Sequence, residues 1–134
     1  MDNHALIAWS LERMGEMGVD PTAEVYHRLF VLHPELEALF VLDRDGAARG
    51  NMLVKAFECL VDMAGPRAFG AHFILAEATN HEGIGVSREV YAAFFDTIAE
   101  VMGETLAGDW TPDVEAAWTA VIAEVKRDVA GSAA

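Results

Sequence analysis

His81 is the residue of this chain best suited to chemistry. It stands in Asn80-His81-Glu82-Gly83-Ile84-Gly85-Val86, where one helical pattern ends and before the next begins. A neutral imidazole there can offer one ring nitrogen to a metal while the other donates to an acceptor that fixes the ring. Carbonyls at the end of the preceding helix are the natural acceptors, and Tyr91, on the following helix, is a second candidate partner. Upstream, Phe40 closes the segment His33-Pro34-Glu35-Leu36-Glu37-Ala38-Leu39-Phe40, and downstream Trp118 follows Ala116-Ala117. Alone, a histidine in a glycine-rich corner is more often a solvated surface residue. The company of Phe40, Tyr91 and Trp118 favours an inward role, all three being expected with His81 at one cofactor pocket rather than in a generic helical core. His72 is the rival ligand, but choosing it leaves the corner glycines without a purpose. His27 and His33 read as surface or packing residues, and His4 as exposed.

These residues need elements to hold them, and the pattern is helical almost throughout. The last helix is the clearest. Thr111 can cap it, Pro112 suits its first position, and Val114, Ala117, Trp118, Val121, Ile122 and Val125 recur at helical spacing. Ser87 caps a helix carrying Val90, Tyr91, Phe94, Phe95, Ile98, Val101 and Met102, with Gly103 and Gly108 near its end. A helix starts at Asp20-Pro21 and carries Val25, Tyr26, Leu29 and Phe30; a short one runs from Pro34 to Phe40; the first spans Asn3 to Met17. Asp43-Arg44-Asp45-Gly46 reads as a turn, followed by a helix with Leu53, Ala56, Phe57, Leu60 and Ala64 in register and ended by Gly65-Pro66. The stretch from Arg67 to Asn80 predicts one more helix. No sustained alternation of apolar and polar residues calls for a strand.

A chain of 134 residues is expected to form one domain over 1–134, with 1–3 and 130–134 frayed. The net charge of −13 argues against nucleic acid or an anionic membrane as partner, because both repel an acidic surface; its plainer meaning is solubility. A single cysteine, Cys59, forbids an intrachain disulfide and fits a reducing cytoplasm. The start Met1-Asp2-Asn3-His4 lacks the basic, then apolar, pattern of a signal peptide, so a cytoplasmic location is expected. No apolar run approaches the ~20 residues of a membrane helix.

From Trp9 to about Val125 the chain resembles the globins, most of all the single-domain bacterial haemoglobins and the globin part of flavohaemoglobins. The resemblance rests on Leu29-Phe30-Val31-Leu32-His33-Pro34-Glu35-Leu36, on Phe40, on the His81-x-x-x-Gly85-Val86 corner, on Trp110-Thr111-Pro112 and on Ala116-Ala117-Trp118, in that order and spacing. It implies an all-α, globin-like fold of six to eight helices around a haem pocket. It also implies haem b (iron protoporphyrin IX) as cofactor, with His81 as proximal ligand and Phe40 wedged against the ring.

By the same resemblance, Tyr26 points at bound gas and can donate a hydrogen bond to it. Counting back from His81 by the family's spacing puts Arg49 at the distal position, with Leu53 one turn later as an apolar wall. An arginine at the mouth could pair with a haem propionate. No histidine lies between Phe40 and Met63, so the usual distal histidine is absent. On the proximal side, Phe73-Ile74-Leu75-Ala76 can wall the haem face. Bacterial members also join Tyr91's counterpart to a late glutamate, whose matching place falls in Ala133-Ala134. Glu77 is a departure, standing one turn before His81 where the family usually has an aliphatic side chain.

The expected function is reversible binding of dioxygen or another diatomic gas by a pentacoordinate, His-ligated iron, as a monomer or homodimer. One alternative is nitric-oxide dioxygenation with a separate reductase. Another is a haem-free globin-like sensor or interaction module. Fold likeness alone does not choose among them.

Overall fold

The computed structural model describes residues 1–132. Six α-helices follow one another: α1 (Asn3–Glu16), α2 (Thr22–Leu32), α3 (Ala47–Ala64), α4 (Gly70–Gly83), α5 (Arg88–Leu106) and α6 (Pro112–Gly131). Two 3₁₀ segments, Pro34–Phe40 and Ala107–Asp109, link them, and there is no strand among the described residues. None of the described helices is long and apolar enough to cross a membrane.

Local chemistry explains most of the boundaries. The Asp2 carboxylate accepts from the Ala5 N–H at 2.8 Å, Ser87 Oγ from Val90 and Thr111 Oγ1 from Val114, each satisfying a donor that the first helical turn leaves free. Gly46, at φ 77°, takes the left-handed conformation needed to turn the chain into α3.

The α6 stripe is buried as its spacing predicts: Val114, Ala117, Trp118 and Val125 are essentially inaccessible. It packs on α1 and α5, while α3 lies against α4 and α2 against α5. Each fully buried large side chain contributes roughly 1.5–3 kcal/mol relative to exposure.

Two boundaries differ from expectation. The helix expected over 67–80 begins at Gly70 and continues through Gly83, so His81 lies in its last turn rather than beyond it. The late start has one cause. The Asp62 carboxylate, at the end of α3, accepts from the backbone N–H groups of Ala68 (2.9 Å), Phe69 (3.0 Å) and Gly70 (2.7 Å), capping α4 from another helix. Burial alone would raise the Asp62 carboxyl, but the Gly70, Ala68 and Phe69 donors, helped by Arg67, outweigh it and hold it below the usual 3.8. At Gly70 a Cβ would lie 2.5 Å from the Cys59 carbonyl oxygen, so only glycine lets α3 and α4 approach this closely. At the termini, Asp2 is a cap rather than a frayed residue, and α6 extends through Ala130 and Gly131. Ala133 and Ala134 lie outside the described residues.

Candidate functional site

The helices do not close completely. Between α2, α3, α4 and α5 lies a cavity of about 500 Å³, lined mostly by apolar side chains. Residues singled out from the sequence meet there, among them Tyr26, Phe40, Phe73, His81, Val86 and Tyr91. Its volume is that of a small-molecule or cofactor site.

His81 is brought to the wall by the last turn of α4. Its Nδ1 lies 2.7 Å from the carbonyl oxygen of Glu77, one turn earlier. That contact assigns the proton to Nδ1, which donates, and leaves the Nε2 lone pair free. Tyr91, from α5, packs on the imidazole with ring centres 4.9 Å apart and planes tilted by 43°. The ring is therefore held at one nitrogen and along one side. After it, the Val86 N–H returns to the His81 carbonyl at 2.9 Å, and Gly85 at φ 92° makes that corner.

Tyr26, from α2, is buried within an aromatic cage. Its ring lies 5.5 Å from Phe40, 5.9 Å from Phe30 and 5.6 Å from Phe94. Ring contacts continue from Phe94 through Phe95 to Tyr91, so one aromatic wall joins the two ends of the cavity. Burial raises both the Tyr26 and the Tyr91 phenol above the usual 10, and both remain hydrogen-bond donors at neutral pH. Among the described residues neither hydroxyl has a hydrogen-bond partner. Neither hydroxyl is sealed from the open space, so each is a donor available to a molecule in the cavity.

Three expected pocket residues lie elsewhere. Arg49 folds back on the turn before α3: its Nε lies 3.0 Å from Asp43 Oδ2, and its Nη2 donates to the Asp43 carbonyl at 2.9 Å. The same carboxylate accepts from the backbone N–H groups of Ala48 and Arg49, so Asp43 caps α3 and clamps the guanidinium there. Leu53 is buried in the helical core rather than on the wall. Met52 faces the cavity instead. One residue is roughly 100° of helix rotation, enough to exchange a wall position for a core position. Trp118 is also core: its indole N–H donates to Ser10 Oγ at 2.9 Å, and Ser10 donates to the Ile7 carbonyl at 2.7 Å. Phe57 meets Trp118 edge-on, and Trp110 packs beside it.

Sequence reasoning missed Met52, Lys55 and Cys59. With Ala48 and Ala56, they form the cavity-facing side of α3. The spacing 48, 52, 55, 56, 59 is itself a helical stripe, hidden because its members differ in polarity. Lys55 is the only cation on the wall among the described residues. Its Nζ lies 4.9 Å from the Phe73 ring centre and 5.3 Å from that of Phe69. Burial raises the Cys59 thiol to about 11, leaving it protonated and a poor nucleophile. Glu77, the departure noted above, is half-buried at the cavity's edge, where its Oε1 accepts from Asn80 Nδ2 at 3.2 Å.

Among the described residues, no three His, Cys, Asp or Glu side chains converge on a bare metal ion. One free imidazole nitrogen beside a large apolar space would instead suit an organic group that brings its own metal.

Comparison with known proteins bears on the fold. The globin family model matches residues 23–129. No curated protein and no solved structure gives a match. Globins generally bind haem and, through it, diatomic gases such as oxygen. A matched span covering well over half of its length, on a fold of six α-helices among the described residues, makes this chain a member of the globin family.

Proposed function

We propose that this chain binds haem b (iron protoporphyrin IX) through Nε2 of His81 and reversibly holds a diatomic gas, dioxygen foremost, on the side of Tyr26. The observation that carries the reading is the pairing of two features on the wall of one apolar cavity of about 500 Å³: an imidazole fixed at Nδ1 and a tyrosine whose hydroxyl stays accessible and has no hydrogen-bond partner among the described residues. When bound, haem supplies an iron centre with one face open to a gas. The protein supplies the rest. The Glu77 carbonyl selects the His81 tautomer, and Tyr91 fixes the ring plane. Phe40 and Phe73 furnish flat apolar surface at the wall. Tyr26 donates toward the gas and retards its escape.

His81 is the only histidine lining the cavity among the described residues, which favours one protein ligand rather than two. With Arg49 engaged by Asp43, Lys55 is the cation that would meet a haem carboxylate. A haem-free interaction module would be expected to fill this space with side chains.

The test is an absorption spectrum of the purified, dithionite-reduced protein with and without carbon monoxide. An intense Soret band that shifts on adding carbon monoxide is expected; protein that retains no haem after reconstitution would overturn the reading. Sustained nitric-oxide consumption beside a reductase would extend it to nitric-oxide dioxygenation.

A further inference from the structure

We propose that Glu77 is a positioning residue for His81, placing a negative charge behind the imidazole and so setting the electron density at Nε2; the inference rests on the haem reading above. Glu77 and His81 are four residues apart on α4, which stacks them on one helix face. The main chain and the side chain of Glu77 both approach the same nitrogen. Its carbonyl oxygen lies 2.7 Å from Nδ1, and its Oε2 lies 3.7 Å away. The other carboxylate oxygen is taken by Asn80, which turns Oε2 toward the ring.

The side chain has a cost to explain. It is about one-third exposed and lines an apolar cavity, where an unmatched carboxylate is unfavourable. The positive partial charges that offset this are the Nδ1–H dipole of His81 and the Asn80 amide. Tyr91 covers the imidazole from α5, so the ring cannot easily rotate away from the charge.

At 3.7 Å the carboxylate makes no hydrogen bond of its own. It acts as a fixed charge reinforcing the bond to the carbonyl. A negative charge there strengthens Nε2 as an electron donor and stabilises the oxidised metal over the reduced one. Glu77 is thus expected to lower the iron potential and tighten haem retention.

The experiment compares haem-reconstituted wild type with Glu77→Gln, Glu77→Leu and Glu77→Asp. Three quantities are read: the ferric/ferrous midpoint potential, the iron–histidine stretching frequency of the ferrous protein, and the rate of haem loss to a scavenger apoglobin. Glu77→Gln keeps shape and removes charge. It should raise the potential, lower the stretching frequency and speed haem loss about 10-fold. Glu77→Leu should do the same, and Glu77→Asp should recover part of the wild-type values. A potential and frequency unchanged in Glu77→Gln would reduce Glu77 to an ordinary helix residue while leaving His81 as the ligand. Wild type lacking an iron–histidine band would instead remove the haem reading, and this proposal with it.

Discussion

Two aromatic clusters divide the interior, and they are finished in opposite ways. Around Trp118 every requirement is met: the indole N–H has Ser10, Ser10 has the Ile7 carbonyl, and Phe57 and Trp110 cover the ring. Around Tyr26 and Tyr91 the rings are as well packed, yet both hydroxyls face space with no protein partner among the described residues. Accessible donors on a cavity wall carry no penalty while it is open and can pair with whatever enters, so the second cluster is suited to a ligand. Aromatic residues at helical spacing look alike in a sequence. What separates core from site is where their polar atoms go.

That contrast can be broken from either side. The largest effect is expected from His81→Ala, which should abolish or greatly weaken haem retention while leaving most helicity by circular dichroism. Normal haem content would assign the ligand elsewhere. Trp118→Ala should do the reverse, costing ~3–5 kcal/mol of stability in denaturant unfolding with the Soret position of bound haem unchanged. A displaced Soret band would place Trp118 in the site after all.

Asp62→Asn tests the joint between α3 and α4. The folded carboxyl is held below its usual 3.8, so its stabilisation is complete above that value and is lost as pH falls through the lower folded one. The variant should be less stable at neutral pH, and its melting temperature should fall less than that of wild type below about pH 4. Parallel profiles would contradict the cap.

Tyr26→Phe removes one donor worth about 1 kcal/mol, which speeds dioxygen release roughly 5-fold; an unchanged off-rate takes Tyr26 out of the distal role. Lys55→Met should give the smallest change, since a partly exposed ion pair contributes up to about 1 kcal/mol. Haem loss is expected to rise a few-fold, whereas a larger rise for Arg49→Met would restore Arg49 as the propionate partner.

What the sequence revealed, and what it hid, follows the range of the interactions. Ser87 and Thr111-Pro112 mark helix starts because a cap acts within three residues. Tyr26, Phe40, Phe73, His81, Val86 and Tyr91, which all line the cavity, were found through motifs and aromatic spacing. The rotation of α3 was not legible. It comes with the Asp43 clamp on Ala48 and Arg49, formed across a turn whose length no local rule sets. Counting through that turn exchanged Met52 for Leu53 and put Arg49 on a wall where the cation is Lys55. Trp118 was misassigned for a different reason: its partner Ser10 is 108 residues away, beyond any periodicity. The start of α4 was hidden likewise, because its cap is a carboxylate on another helix.

That borrowed cap has a mechanical consequence. One carboxylate ties the last turn of α3 to the first turn of the helix that carries the imidazole, with glycine keeping the gap shut. The two helices therefore travel together. A loosened tie would tilt the imidazole's seat before any helix melted, so damage at this distant corner should surface first as altered ligand affinity and only later as unfolding.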